Sequence, residues 1–261
     1  MYQKCMVLSL FFVSLIAHDF LNDATRYLNQ MNLLASTEKP GIIQSANAAA
    51  RNAWVAKQAA QIKPDSLVLD VGAGTAPYRQ LFKHCIYKTH DFCQNSKHVR
   101  YSSIDIVSDI TNIPVDGGMF DVVLCTEVFE HVPDPISALK ELVRITKIGG
   151  KILITAPLGS GLHQLPYHFY GGFTPEWYTY FAKKFGLTVI EIVPTGGFFK
   201  YLAQECGRLA GRFELHKTCH GSGALFVRWL FGDLLPRYLY ALEEKVFLDE
   251  LPAGYCVAMQ K

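Results

Sequence analysis

The stretch Val68-Leu69-Asp70-Val71-Gly72-Ala73-Gly74-Thr75 limits what this chain can fold into more than any other. An apolar strand runs into a glycine turn, and the spacing predicts a helix over PYRQLFKHC immediately after it. Gly72 and Gly74 let the backbone pass close to a ligand where a Cβ would collide. Such a pair carries weight where a strand ends and a helix begins. A dinucleotide fingerprint would need a third small residue three positions after Gly74, and Pro77 stands there instead. A pyrophosphate also seeks free N–H groups at a helix start. Asp70, beside the turn, would repel a diphosphate but can help to hold an ammonium group. The ligand expected is therefore an amino-acid–nucleoside, and Pro77 disfavours a nicotinamide oxidoreductase.

After Pro64, strand and helix signals alternate: SLVLDV, PYRQLFKHC, IYKTHD, SIDIVSDI, FDVVLC, PISALKELVRITK and KILITAP. That order reads as a parallel sheet wrapped by helices. Before Pro64, the alanine-rich SANAAARNAWVAKQAAQI favours a helix. In PISALKELVRITK, Ile136, Leu139, Leu142, Val143 and Ile145 recur at helical spacing, and Gly149-Gly150 is expected to stop that helix. LTVIEIV and GYCVAMQ read as two more strands. Between them, about 198–251 is expected to be a helical insert broken at Pro236, since so long a structureless loop is rare in a compact domain.

Asp91 follows Asp70 by 21 residues, at the end of the second strand, where a carboxylate can accept hydrogen bonds from both ribose hydroxyls. Asp109-Ile110 follows the third strand, the acid suited to an exocyclic amino group and the isoleucine to an adenine face.

VLDVGAGT, THDF, SDI, FDVVLCTEVFEHVPDP and the Gly149-Gly150 turn into KILITAP together resemble the successive motifs of class I S-adenosylmethionine-dependent methyltransferases, over about Ser66 to Pro194. The resemblance implies an α/β, Rossmann-like seven-stranded sheet with the last strand antiparallel, helices on both faces and S-adenosylmethionine as cofactor. The domain bounds expected are 1–44 for an N-terminal helical extension and 45–261 for the methyltransferase domain. Carried onto this sequence, the methionine part falls to Asp70, Gly72, Ala73 and Gly74, and the ribose to Asp91 with Phe92. The adenine falls to Asp109 with Ile110, and Glu127 joins the cofactor set. The stretch PLGSGLHQLPYHFYGGFTPEWY also resembles a bacterial branch often associated with glycan and envelope biosynthesis.

The acceptor implied is a small molecule or glycan, methylated at oxygen. N- or C-methylation of another metabolite, or a non-catalytic cofactor-binding module in a biosynthetic complex, are the alternatives. A hydroxyl acceptor gains from a base, and His131 after the fourth strand and His168 after the fifth are the candidates. A structural or cofactor-facing role for His131, and transfer without a dedicated base, stand beside that reading. His163, Tyr167, Tyr170 and Trp177 are the candidate acceptor contacts, with helical packing the alternative for Trp177.

With a net charge of +2 and no run of five basic residues, nucleic acid is not the expected partner. The seven cysteines form no C-x-x-C pair, which fits a reducing cytoplasm. Cys206, His216, Cys219 and His220 match no common zinc spacing, and no metal is expected. Cys5 to Ala17 looks like the h-region of a signal peptide but lacks a small-x-small cleavage site, and it is short of the ~20 residues of a membrane span. In the insert, arginines interrupt the apolar runs 225–231 and 234–240. Core-facing helices are expected there, with peripheral membrane or lipid-linked substrate contact as the alternative.

Overall fold

The computed structural model describes residues 46–94, 101–215 and 222–261. The expected N-terminal extension lies outside the described residues, as do His216, Cys219 and His220. In chain order the elements are α1 (Ala46–Ala59), β1 (Leu67–Val71), β2 (Ile86–Asp91), β3 (Ile106–Val107), β4 (Phe120–Thr126), α2 (Pro135–Ile145), β5 (Thr146–Pro157), α3 (Pro175–Lys184), β6 (Thr188–Pro194), α4 (Phe198–Leu215), α5 (Ser222–Trp229), α6 (Leu235–Glu243) and β7 (Gly254–Gln260). The seven strands form one sheet in the order β3-β2-β1-β4-β5-β7-β6. Every pairing is parallel except those of β7, which runs antiparallel between β5 and β6.

Alternation along the strands divides the core into two layers. Leu69, Val71, Val123, Ile152, Ile154, Val257 and Met259 face α2 and α3, where they meet Leu139, Leu142, Ile145 and Tyr178. Val68, Val122, Leu124, Leu153, Cys256 and Ala258 face the other way, onto Trp54, Val55 and Ala59 of α1. β6 changes phase midway. Val189 pairs with Met259 but Glu191 with Ala258, so Ile190 is an extra residue that turns Glu191 toward the α1 side. There Glu191 accepts hydrogen bonds from Trp54 Nε1 (2.7 Å) and Gln58 Nε2 (2.6 Å).

Several expectations from sequence are corrected. No α-helix follows the glycine turn. Gly72, Gly74 and Ala76 all have positive φ and Pro77 lacks an N–H, so the chain makes only a 3-10 turn over Arg79–Phe82 before β2. The third strand shrinks to Ile106–Val107. Gly149-Gly150 does not stop α2. The helix ends at Ile145, where Thr146 turns extended and caps it, its Oγ1 donating to the Leu142 carbonyl at 2.6 Å. The two glycines instead sit within β5, where the register on β4 jumps from Thr146 to Lys151.

Pro236 is not a break. Residues 230–234 form a π-helical stretch between α5 and α6, with the Leu235 N–H reaching back five residues to the Leu230 carbonyl. The wider turn absorbs the register that a proline would interrupt. The insert has a core of its own, in which Ala203, Cys206 and Leu239 pack with Phe231 and Leu235. Its α5 departs from the core-facing expectation: Leu225, Phe226 and Trp229 are exposed, the last two ring against ring. No helix among the described residues is long and apolar enough to cross a membrane.

Glu243, buried at the end of α6, ties the insert to itself. Its carboxylate accepts from the Gly197 N–H (2.6 Å) and the Lys200 N–H (3.0 Å), two otherwise unpaired donors at the start of α4. Glu243→Leu is expected to destabilise the protein by about 2–3 kcal/mol, because it strands those donors, and Glu243→Gln by less. Urea denaturation of the three proteins checks the order.

Candidate active site

The parallel register of β1, β2 and β4 brings their carboxyl ends to one edge of the sheet, with Val71 opposite both His90 and Cys125. Gly72 turns the chain there with φ 71°, and a Cβ on it would lie 2.3 Å from Val128 Cγ2. No other residue fits that position without moving the loop after β4. The turn is pinned from β2, since the N–H groups of Gly72 and Ala73 both donate to the His90 carbonyl, at 2.9 and 3.0 Å.

Asp91 completes the pinning. One carboxylate oxygen accepts from the Gly74 N–H at 2.9 Å and the other from the Cys93 N–H at 3.0 Å. Each oxygen keeps a further lone pair for a ligand hydroxyl. Asp70, 1% exposed, takes a hydrogen bond from the Tyr87 hydroxyl. Burial pushes its carboxyl up to about 7, against the Tyr87 hydrogen bond, and the neighbouring Asp91 adds to the rise. Asp109 is exposed. Its Oδ1 accepts from the Thr111 N–H and hydroxyl, at 2.8 and 2.7 Å, and its Oδ2 makes neither bond. Ile110 is 7% exposed and packs in the core beneath.

Glu127 leaves β4 with φ 53°, its N–H on the Thr155 carbonyl and its Oε1 on the Thr155 hydroxyl. Its Oε2 pairs with Arg51 of α1 at 3.3 Å. Arg51 also donates to the Tyr78 hydroxyl, and so joins α1 to the loop after the glycine turn. Sequence reading missed Arg51 and Tyr87. Each lies a strand or helix away from the motif it serves, and only the tertiary fold reveals the partnership.

The loop after β5, residues 158–173, folds back on the strand it leaves. Phe173 N–H donates to the Pro157 carbonyl, and a Cβ on Gly172 would fall 2.0 Å from the Leu158 oxygen. The return brings the Phe169 and Tyr170 N–H groups onto the Glu130 carbonyl and Tyr170 Oη onto the Pro133 carbonyl. It also sets Tyr167 edge-on to Phe92, with centroids 5.9 Å apart. His131, His163 and His168 converge in the same place, the His131 and His163 ring centroids 4.8 Å apart and those of His163 and His168 4.5 Å apart. Burial and the neighbouring imidazoles hold His131 and His168 below the usual histidine range. Trp177, partly buried, packs among Phe129, Phe173, Tyr178 and Phe181 in a cluster of rings against the core, as the packing alternative expected. Glu130, also missed from sequence, is 2% exposed, and burial beside Glu127 pushes it up to about 8.

Residues 69–154 match the family described as methyltransferase domain. The chain is 27% identical over 111 residues to sarcosine/dimethylglycine N-methyltransferase of Halorhodospira halochloris, a match covering 38% of this chain and 40% of that protein. It is 47% identical over 38 residues to a ubiquinone biosynthesis O-methyltransferase of Pseudomonas paraeruginosa, covering 15% of this chain and 16% of that protein. The chain spans about two fifths of the length of the first curated relatives it matches. Among solved structures, the [4+2]-cyclase SpnF superposes with a TM-score of 0.52 at 15% identity, over 87% of this chain and 84% of that one. Residues 69–154 are thus similar to a methyltransferase domain, and the sheet order and glycine turn are those of the class I S-adenosylmethionine-dependent methyltransferase fold. S-adenosylmethionine is the cofactor, and the bare Cα of Gly72 and the spare lone pairs of Asp91 fit it.

A carboxyl whose folded pKa lies above its unfolded value holds its proton more tightly in the native state, so stability falls as pH rises between the two values. For Asp70 that window runs from about 4 to about 7. Asp70→Asn is expected to reduce the slope of melting temperature against pH across it, which calorimetry of the cofactor-free protein measures.

Proposed function

We propose that the chain transfers a methyl group from S-adenosylmethionine to a hydroxyl of a small-molecule or glycan acceptor. The observation that supports this reading is the contact of Tyr167 with Phe92, which brings the histidine-bearing loop against the residue that follows Asp91. In this reading Asp70, Gly72, Ala73 and Gly74 face the methionine part. Asp91 holds the ribose hydroxyls, Phe92 covers them, and Asp109 offers its free oxygen to the adenine amino group above Ile110. Glu127, fixed by Arg51 and Thr155, keeps the loop after β4 against the turn.

The cofactor supplies a methyl carbon already activated by its sulfonium. The chain therefore has to align an acceptor and exclude water. The fold-back of residues 158–173 supports both tasks, since it walls one side of the strand ends with His163, Tyr167, His168 and Tyr170. With pKa values below the usual range, His131 and His168 are neutral near pH 7, and a neutral imidazole can accept the proton of a hydroxyl. A glycan or other envelope acceptor is supported by the resemblance of PLGSGLHQLPYHFYGGFTPEWY to that branch. The exposed Leu225, Phe226 and Trp229 favour one carried on a lipid. A second reading, transfer to nitrogen, draws on the N-methyltransferase relative and would need no base.

Label from methyl-labelled S-adenosylmethionine is expected in the small-molecule, lipid or polysaccharide pool of a fractionated extract, in ether linkage. Label in amine linkage would favour the second reading, and no label in any pool would overturn transfer. Asp91→Ala is expected to weaken S-adenosylmethionine binding by about 1–3 kcal/mol in a calorimetric titration, as for loss of buried hydrogen-bond partners.

A further inference from the structure

The three histidines of the acceptor side do more than gather. One ligating nitrogen from each of His131, His163 and His168 lies within 4.8 Å of the others, all three half-buried. His131 Nδ1 faces the Tyr167 carbonyl, and His163 Nδ1 faces the Gly161 carbonyl at 2.9 Å. A carbonyl can only accept, so each Nδ1 carries the proton and each Nε2 is left with a lone pair. This is the arrangement by which outer hydrogen bonds fix metal-binding imidazoles in one tautomer and one orientation. His168 Nδ1 is buried with no hydrogen-bond partner, a state that leaves a strong polar atom unpaid for in a folded protein.

A second buried group next to the cluster lacks a partner. Glu130 Oε2 has none, while Glu130 Oε1 lies 3.8 Å from His131 Nε2. A cation among the histidines would give that carboxylate a neighbour of opposite sign. Around a tetrahedral zinc ion with bonds of about 2.0–2.1 Å, ligand nitrogens are about 3.4 Å apart. The observed spread asks for side-chain shifts of about 1 Å, within the reach of small torsional changes.

We propose that His131, His163 and His168 bind a divalent transition-metal ion such as Zn2+, with an open coordination position facing the cofactor side that takes the acceptor oxygen. The sequence reading, which expected no metal, is revised by this proposal. The signal was thin: His163 and His168 sit five residues apart in a loop, and His131 comes from a different strand end. Three imidazoles with an open position are a recurring arrangement for catalytic zinc, and a metal-held hydroxyl loses its proton more readily than a free one. The role for the acceptor oxygen rests on the methyl-transfer reading, and in it metal ligation takes the place of proton acceptance by His131 and His168, the hydroxyl proton leaving to solvent; the metal site itself rests on the geometry of the three histidines.

The test titrates metal-free, full-length protein with Co2+ and then Zn2+, reading visible absorption and heat. The expected result is one equivalent of Co2+ with ligand-field absorption but no thiolate charge-transfer band, displaced by Zn2+. His163→Ala with His168→Ala should weaken binding at least tenfold, while Cys219→Ser with His220→Ala should leave it unchanged. No uptake by folded wild type, or uptake with a thiolate band that survives the histidine substitutions, overturns the site. With the site established, methyl transfer that persists at full rate after metal removal overturns the acceptor role alone. Metal binding without any methyl transfer leaves the site standing and counts against the reading under which it was placed.

Discussion

Burying acids together demands donors, and much of this site answers that demand. Asp70, Asp91, Glu127 and Glu130 all come to the carboxyl ends of neighbouring strands, where water is scarce and like charges are close. Asp91 is met by backbone N–H groups, Asp70 by a tyrosine hydroxyl, and Glu127 by a threonine and an arginine from α1. Glu130 is left short, with one oxygen unpartnered beside the histidines. The groups that satisfy these acids also fix the backbone around them. The electrostatics and the shape of the crevice therefore have one cause.

The two halves of the site are built differently. The cofactor half rests on the parallel ladder and on a glycine that cannot be replaced without displacing Val128. The acceptor half rests on a loop that owes its course to backbone bonds onto Glu130 and to the close approach of Gly172 to Leu158. A family can therefore keep the first half while loops such as the second diversify, and the shared fold of the cyclase SpnF illustrates how little the sheet alone says about chemistry.

Much of the sheet was legible because strand and helix signals alternate along the chain and the central strands read as short apolar runs. IYKTHD and GYCVAMQ coincide with β2 and β7, and the described part of the insert is helical, as its length implied. The misjudged parts turn on backbone detail that residue type does not carry. Ala76 adopts a positive φ that ends any helix after the turn, Thr146 caps α2 before the glycines are reached, and a π-helical stretch lets Pro236 pass. At the site, Asp91 and the glycines announced themselves through spacing. Arg51, Tyr87 and Glu130 did not, because each takes its meaning from a partner on another element. The histidines were noticed singly, and their convergence exists only once the loop has closed.

The seating of β7 between β5 and β6 carries a consequence for how the chain assembles. β6 is made first yet has no ladder to join until β7 arrives, and the whole helical insert lies between them. While the insert is still folding, the outer edge of β5 is an open template for any extended segment. Closing so distant a pairing is slow. The insert's self-contained core, with Glu243 bonded to the start of α4, closes the long connection on itself, so that the chain leaving β6 lies beside the chain entering β7, Thr195 N–H donating to the Gly254 carbonyl and Phe198 N–H to the Leu248 carbonyl.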